Sequence, residues 1–183
     1  MKENSIITTE RLRLVRLADP HTEAFFAYRS DPQVTQFLTW TAERLEQVKT
    51  FIADNPVAMG KPGTWFQLAI TLPSAGTLIG DIGVLFKEQD LAECELGYTV
   101  IPKFRGQGYA TEALSAVISY LFSQHHIEKI TCSVDPENIA SIKLLQKLDF
   151  ILERIYAKNY LFRGQLVDDA VYFIRKQDWS RKR

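Results

Sequence analysis

The sequence predicts a single α/β domain over residues 1–183, in which a mixed, mostly antiparallel sheet carries helices on both faces. The length of the chain and its 46% of apolar residues fit one compact core. Alternating apolar segments separated by short turns indicate antiparallel hairpins. Between residues 96 and 134 a strand, a long amphipathic helix and a second strand follow one another, which predicts a parallel pair joined by a right-handed crossover.

The first part of the chain predicts one strand and two helices. Leu12 and Leu14 alternate with arginines, which indicates a strand. Asp19 and Pro20 are a capping residue and a first-turn proline, so a helix is expected after them. A second helix is expected from about Thr41 to Asn55, and its apolar face consists of Leu45, Val48, Phe51 and Ile52.

The middle of the chain predicts three strands and one regular helix. Apolar residues alternate over residues 66–72 and 82–86, and the turn-forming residues 73–76 between them indicate a hairpin. Residues 96–100 alternate in the same way. The helix that follows has a continuous apolar face, formed by Ala110, Ala113, Leu114, Val117, Ile118, Leu121 and Phe122.

The last third of the chain predicts three further strands and a helix. A short strand is expected over residues 129–134, and a helix begins near Asn138. Two more strands are expected, around residues 152–160 and 169–174. Asp149 stands at the end of the helix, at a position that favours left-handed backbone.

A glycine-rich turn connects the strand that ends at Val100 to the long helix, and its sequence is Arg105-Gly106-Gln107-Gly108-Tyr109-Ala110-Thr111. The first N–H groups of a helix have no partner within it, and the positive end of the helix dipole attracts anions. Gly106 and Gly108 let a phosphate approach the backbone without meeting a Cβ. The turn therefore predicts a site for a phosphorylated ligand, the alternative being an ordinary glycine turn before a helix.

Two common phosphate-binding motifs do not describe this turn. Thr111 stands where a dinucleotide-binding loop has its third glycine, and the nearest acidic residue after the next strand, Asp135, lies too far along. A nucleoside-triphosphate loop G-x-x-x-x-G-K-[ST] is absent from the sequence. The pattern [RQ]-x-x-G-x-[GA] fits completely, with Arg105, Gly108 and Ala110 at its defined positions.

Composition excludes several other functions. The 22 basic and 22 acidic residues balance, which gives no reason to expect nucleic acid or an anionic membrane as a partner. No apolar run approaches the ~20 residues of a membrane span, and Met1–Asn4 carries acid and no apolar stretch, so a cytoplasmic protein without a signal peptide is expected. Cys94 and Cys132 lie in separate strands and are expected to be free, buried thiols. The three histidines lack ligand spacing with the cysteines, so no metal site is expected.

The chain resembles the GNAT superfamily of N-acetyltransferases over about residues 8–179, and most of all the branch of ribosomal-protein N-terminal acetyltransferases, the Rim-type enzymes. The pattern [RQ]-x-x-G-x-[GA] is the pyrophosphate loop of that superfamily. The other segments that carry the resemblance are Thr9-Glu10-Arg11-Leu12-Arg13-Leu14, Ser30-Asp31-Pro32-Gln33-Val34, residues 92–100 and 138–150, and Gly164, Asp168, Tyr172 and Trp179 in that order.

The resemblance implies a GNAT fold in which two central parallel strands splay apart to admit the pantetheine arm of acetyl-CoA. Acetyl-CoA would be the cosubstrate, with no metal. The cofactor-binding residues that the resemblance implies are the backbone of Tyr98, Thr99 and Val100 beside the pantetheine, Asn138 against the same arm, and Arg105, Gly106, Gln107, Gly108, Tyr109, Ala110 and Thr111 around the pyrophosphate. Lys103, Lys143 and Lys147 are candidates to meet the ribose phosphate, although exposed lysines are common.

The catalytic residues are less clearly marked than the cofactor loop. Many GNAT enzymes protonate the leaving thiolate with a tyrosine at a position that is Leu145 here. The Rim-type branch has a serine one turn earlier, which makes Ser141 the candidate donor, the alternative being a serine that only bonds its helix backbone. Glu93 and Glu95 lie on the polar face of their strand, and Glu95, which matches the family's acidic position before Gly-Tyr, is the favoured base; a merely solvated face is the alternative.

These observations predict an acetyl-CoA-dependent N-acetyltransferase that transfers acetyl directly to a primary amine. The expected acceptor is the N-terminal amino group of a protein, a ribosomal protein in the branch that the chain resembles. Small amines such as a polyamine or an antibiotic-like compound are the next candidates. A CoA-binding regulatory domain without turnover and, more distantly, a nicotinamide-dependent oxidoreductase are the alternatives from other classes, and a homodimer is a further expectation.

Overall fold

The computed structural model of the protein describes residues 5–180, so that residues 1–4, on which the signal-peptide expectation rests, lie outside it. The strands are β1 (Ile7–Thr8), β2 (Arg13–Arg16), β3 (Trp65–Thr71), β4 (Leu78–Phe86), β5 (Glu93–Val100), β6 (Lys129–Val134), β7 (Ile151–Phe162) and β8 (Gln165–Arg175). The helices are α1 (Thr22–Arg29), α2 (Pro32–Thr35), α3 (Leu45–Asp54), α4 (Tyr109–Gln124), α5 (Ile139–Lys147) and α6 (Lys176–Ser180).

The strands form one sheet in the order β1-β2-β3-β4-β5-β6-β8-β7. All neighbouring strands are antiparallel except β5 and β6, which are parallel and are joined by α4. This parallel pairing extends only from Glu93–Lys129 to Glu95–Thr131, although β5 continues to Val100. The predicted mixed sheet with a splayed central pair is therefore confirmed.

Helices cover both faces of the sheet, as predicted. One face packs against α4 and α5 and includes Leu14, Leu68, Ile82 and Leu96 of the strands. The other face packs against α1 and α3 and includes Val15 and Ala69, which are the sequence neighbours of Leu14 and Leu68. Because successive side chains of a strand point to opposite faces, the two faces of the sheet have separate cores.

Several predicted boundaries differ from those of the structure. The helix expected from about Thr41 begins only at Leu45, because the side chain of Gln47 accepts hydrogen bonds from the N–H groups of Glu43 and Arg44 and so fixes the helix start there. The short elements β1 and α2 were not predicted, since two and four residues are too few for a periodic pattern. Asp149 has a φ of +67°, so this helix ends in a left-handed cap although aspartate is tolerated there less well than glycine.

A buried polar cluster connects α1 to the sheet. Asp81 of β4 has no exposed surface, and its carboxylate accepts hydrogen bonds from the Tyr28 hydroxyl at 2.6 Å and from Nη2 of Arg29 at 2.5 Å. The side-chain amide of Gln67 donates to the same carboxylate. The guanidinium also lies 5.0 Å from the ring centre of Phe25. A buried charge pair of this kind requires both partners, because either charge alone would be left without compensation in a poorly polarisable environment.

The first prediction concerns this cluster. Asp81→Ala should lower the free energy of unfolding by about 3–5 kcal/mol, because it leaves the Arg29 charge buried and unpaired. Urea unfolding monitored by circular dichroism measures the change. The exposed Glu43→Ala is the matched acid-to-alanine control and should change stability by less than about 0.5 kcal/mol. Adding Arg29→Met to Asp81→Ala should restore part of the loss; if the double variant is less stable than Asp81→Ala, the explanation by an unpaired charge is wrong.

Candidate active site

A cleft of about 460 Å³ lies at the end of β5, where β5 and β6 separate. The predicted site residues that line it are Tyr98, Thr99, Val100, Arg105, Gly106, Gly108, Tyr109, Ala110, Thr111, Asn138 and Ser141. Glu95 and Gln107 do not line this cleft. Three separate segments, β5, the glycine turn and the start of α5, thus meet around one cavity.

The glycine turn has the backbone that its sequence predicted. Gly106 and Gly108 have φ values of +74° and +83°, and α4 begins directly after them at Tyr109. Gly108 is the N-cap of α4 and offers no side chain to the first N–H groups of the helix. A Cβ on Gly106 would meet nothing within 4 Å, so the space beside the turn is open. The turn therefore presents helix N–H groups and a positive dipole end to the cleft.

Arg11, which follows β1, braces the glycine turn from outside. Its Nη1 donates to the carbonyl oxygen of Gln107 at 3.0 Å, and its guanidinium lies 4.6 Å from the ring centre of Tyr109. Glu112 of α4 accepts from Nε of Arg11 at 2.7 Å and from the Thr9 hydroxyl at 2.5 Å. Burial alone would raise the pKa of Glu112, but the hydrogen bonds from Thr9 and Arg11 outweigh it and lower that pKa. The turn is thus fixed by residues about a hundred positions away.

The free edge of β5 faces the gap between the strands. The Cys94 carbonyl accepts from the Thr131 hydroxyl of β6 at 3.3 Å, and the Val100 carbonyl accepts from Nε of Arg105 at 2.9 Å. Both carbonyls therefore point away from β4. Backbone direction alternates along a strand, so Tyr98, which lies between them at the same parity, also directs its N–H and C=O into the gap. Tyr98 is consequently the β5 residue whose backbone is placed to pair with an extended ligand.

The start of α5 forms the opposite wall of the cleft. Asn138 is the N-cap, and its Oδ1 accepts from the N–H of Ser141 at 3.1 Å. The Ser141 hydroxyl lies 2.6 Å from the hydroxyl of Tyr98. Leu145, on the same helix, is fully buried. Ser141 and Tyr98 thus bring two hydroxyl groups together in the cleft, while Leu145, at the position of the usual tyrosine, packs into the core.

The two candidate glutamates have different surroundings. Glu93 forms ion pairs with Lys87 at 3.2 Å and with Lys129 at 3.3 Å. The side chain of Glu95 has no hydrogen bond or ion pair within residues 5–180, and Glu95 lies where the parallel pairing ends. Burial raises the pKa of Glu95; Lys87 lowers it, and the nearby Asp169 raises it further. Glu95 is thus the glutamate that is free to accept a proton.

One wall of the cleft, formed by α2 and the residues after it, was not predicted from the sequence. Gln33 and Val34 of α2, with Gln36, Phe37 and Leu38 after it, line the cavity. Their segment was noted only as part of the family resemblance, and no periodic pattern marks it. Lys147 also lines the cleft, whereas Lys103 and Lys143 do not. The tip of the β7–β8 hairpin reaches the same region, since Nη2 of Arg163 donates to the Thr35 carbonyl at 2.9 Å.

Other kinds of site find no support among the described residues. Cys94 and Cys132 are buried and free, as predicted. Burial raises the pKa of the Cys94 thiol to about 12, with a smaller lowering contribution from Lys87, so this thiol is neutral at physiological pH. Within residues 5–180, no three His, Cys, Asp or Glu side chains are grouped in a way that could hold a metal ion. No helix in the same residues has the length and apolarity to cross a membrane.

Comparison with known proteins agrees with this geometry. Residues 11–151 match the family model Acetyltransf_3, described as "Acetyltransferase (GNAT) domain". The uncharacterized N-acetyltransferase YoaA of Bacillus subtilis is 31% identical over 93% of this chain and 97% of its own length. The ribosomal protein uS5 alanine N-acetyltransferase of Escherichia coli is 39% identical over 88 residues, which are 48% of this chain and 45% of that enzyme.

Solved structures of acetyltransferases share the fold of this chain. An acetyltransferase of the GNAT family from Bacillus anthracis superposes with a TM-score of 0.83 at 25% identity, covering 93% of this chain and 98% of that one. The spermidine N-acetyltransferase of Vibrio cholerae, solved with CoA and spermine, has a TM-score of 0.81, 14% identity and coverage of 94% and 99%, and it shows the shared fold alone. This chain therefore belongs to the GNAT family of acetyltransferases, because the family model matches residues 11–151 and a glycine turn lies where the two parallel strands separate.

Proposed function

We propose that this N-acetyltransferase transfers the acetyl group of acetyl-CoA to the N-terminal amino group of a protein or peptide. Members of the GNAT family use acetyl-CoA, and the residues of this cleft fit it. The open space beside Gly106 and the helix N–H groups after Gly108 suit a pyrophosphate. The outward backbone of Tyr98 suits an extended arm with amide groups, and Lys147 supplies a cation at the cleft wall.

The proposed chemistry uses both faces of β5. The neutral amine attacks the thioester carbon, and its nitrogen loses a proton to Glu95, directly or through water, as the bond to carbon forms. A backbone N–H of β5, at Tyr98, donates a hydrogen bond to the carbonyl oxygen as negative charge develops there, a contribution of about 3–4 kcal/mol in comparable sites. The C–N bond forms, the C–S bond breaks, and the sulfur leaves with the electron pair. Ser141 supplies the proton to the sulfur, and water restores the proton of Ser141.

The observation that supports an α-amino acceptor is the lining of the cleft at α2. Amide and apolar side chains are found there (Gln33, Val34, Gln36, Phe37 and Leu38), and the described lining contains no carboxylate. A polyamine carries several cations and would need several carboxylates, whereas a peptide offers one amine, amide groups and small side chains. A terminal amine of pKa about 7.8 is roughly 14% neutral at pH 7, against about 0.04% for lysine. One glutamate acting on an α-amine is therefore a sufficient base.

A small polyamine is the second candidate acceptor, and one contact favours it. Asp169 of β8 accepts a hydrogen bond from the Ser133 hydroxyl and lies close enough to Glu95 to raise its pKa. The two carboxylates could together bind a cation. The spermidine N-acetyltransferase of Vibrio cholerae has the same fold at 14% identity, and this supports a polyamine as the second candidate.

The second prediction concerns the glycine turn. Acetyl-CoA should raise the melting temperature, because a ligand that binds only the folded state stabilises it by RT ln(1 + [L]/Kd). Gly108→Asp should abolish that rise, since at a φ of +83° a side chain strains the turn, and the added carboxylate beside Arg11 disturbs the guanidinium that braces the turn and places a negative charge near the phosphates. Gly76→Asp is the matched control: its φ of +62° causes comparable backbone strain at a turn away from this cleft. A full acetyl-CoA shift in Gly108→Asp would disprove the assignment of the turn.

The third prediction concerns Glu95 and pH. A base acts only when ionised, so kcat at saturating acceptor should fall as the pH drops through the pKa of Glu95, which lies above the ordinary value of about 4.3. Glu95→Gln should remove this acidic limb and lower kcat at pH 7 by roughly 10²–10⁴-fold, with unchanged affinity for acetyl-CoA. Glu93→Gln is the control, because its ion pairs with Lys87 and Lys129 give it a structural role, and it should keep the limb.

The fourth prediction tests the acceptor. Values of kcat/KM for peptides with a free N-terminal alanine or serine should exceed those for spermidine and for an aminoglycoside by at least about tenfold. The same peptides with a blocked N-terminus and one internal lysine control for lysine acetylation and should be inactive. Mass spectrometry of the product locates the acetyl group. A hundredfold preference for either small amine would contradict an α-amino acceptor and favour the second candidate.

A further inference from the structure

A hydrogen bond between two hydroxyl groups crosses the cleft from β5 to α5. The hydroxyl oxygen of Tyr98 lies 2.6 Å from Oγ of Ser141 and 3.4 Å from the carbonyl oxygen of Ser141. Both residues line the cleft, and Tyr98 packs against the core that contains α4 and α5. The bond therefore connects the wall of the cleft formed by β5 to the wall formed by α5.

The surroundings of Ser141 leave its hydroxyl to this contact. The N–H of Ser141 is already bonded to the side chain of Asn138. A serine inside a helix commonly donates its hydroxyl to the carbonyl one turn back. Among the described residues, the hydrogen-bond partner of the Ser141 hydroxyl is instead Tyr98. The orientation of this hydroxyl is thus decided by a side chain on another element.

We propose that Tyr98 is a positioning residue for Ser141: its phenol donates to Oγ of Ser141, so that the Ser141 proton points towards the sulfur of the acyl donor. This inference rests on the proposed role of Ser141. It gives the side chain of Tyr98 a task that is separate from that of its backbone. It also explains how the thiolate is protonated although Leu145 stands at the usual tyrosine position: Tyr98 of β5 orients Ser141, which donates the proton.

The Tyr98 hydroxyl stays protonated, as a hydrogen-bond donor to Ser141 must. Burial raises the pKa of Tyr98, the buried Cys132 thiol of β6 raises it further, and the bond with Ser141 lowers it in part. Tyr98 consequently stays neutral and can donate one hydrogen bond. If it donates to Oγ, the Ser141 proton cannot be used in the same contact and is free for the cleft. The proton that reaches the sulfur is the one on Ser141, while Tyr98 neither gains nor loses a proton.

Ligand binding tests this inference without turnover. CoA and desulfo-CoA, which lacks the sulfur, are titrated calorimetrically at pH 9, where about three quarters of a thiol of pKa near 8.5 is ionised. The wild-type protein should bind CoA about tenfold more tightly than desulfo-CoA, because a hydroxyl directed at the thiolate makes a charge-assisted hydrogen bond. Tyr98→Phe and Ser141→Ala should each remove this preference and leave desulfo-CoA affinity within about twofold.

Steady-state kinetics give the second readout. Tyr98→Phe should lower kcat about tenfold with little change in the KM for acetyl-CoA, and it should cause no further loss in the Ser141→Ala background, because the phenol acts only through that serine. Tyr120→Phe, which removes a hydroxyl from α4 outside the cleft, is the matched control and should keep wild-type values.

The outcomes separate the two proposals. If wild-type protein does not distinguish CoA from desulfo-CoA, the role of Ser141 is wrong and that of Tyr98 falls with it. If wild type distinguishes them and Ser141→Ala does not, but Tyr98→Phe still does, only the inference about Tyr98 is overturned. The same conclusion follows if the kinetic losses of the two variants multiply. The binding results do not depend on which amine is the acceptor, because they need no turnover.

Discussion

The separation of β5 from β6 after Glu95 and Thr131 is the constraint on which the rest of the site depends. β5 is held along its whole length by β4, and Gly80 permits this close pairing because a Cβ there would collide with the Thr99 carbonyl. β6 is held along its whole length by β8. Each strand therefore follows the twist of its own half of the sheet, and the two halves diverge. The resulting gap contains backbone groups of β5 that no neighbouring strand uses.

Two helices begin beside this gap. α4 follows β5 through the glycine turn, and α5 follows β6 through the segment capped by Asn138. Parallel strands place their following helices at the same edge of a sheet, which is where ligands bind in related topologies. Both N-termini therefore direct positive dipole ends towards the same region. The cleft brings together the helix N-termini, the edge of β5 that faces the gap and the hydroxyls of Tyr98 and Ser141.

Successive side chains of β5 point to opposite faces of the sheet. Tyr98 and Val100 both line the cleft, and Tyr98 packs against the core that contains α4 and α5. Glu95 has the opposite parity along β5, so its side chain points to the other face of the sheet. Contacts between distant parts of the chain complete the arrangement. Arg11 fixes the glycine turn, and Arg163 joins the tip of the β7–β8 hairpin to α2, so that both terminal segments support the site.

The sequence by itself determined the features that depend on neighbouring residues. The glycine turn, the apolar face of α4 and the bounds of β6 could all be predicted, because periodicity, glycine conformation and capping act over a few positions. The replacement of the usual tyrosine by Leu145 followed only from the resemblance to GNAT enzymes. The tertiary structure decided what depends on register and twist. It showed that Glu93 forms ion pairs whereas the Glu95 side chain has none among residues 5–180, that α2 forms a wall of the cleft, and that the Tyr98 hydroxyl contacts Ser141. These contacts join residues that are far apart in the chain, and no local pattern encodes the distance between them.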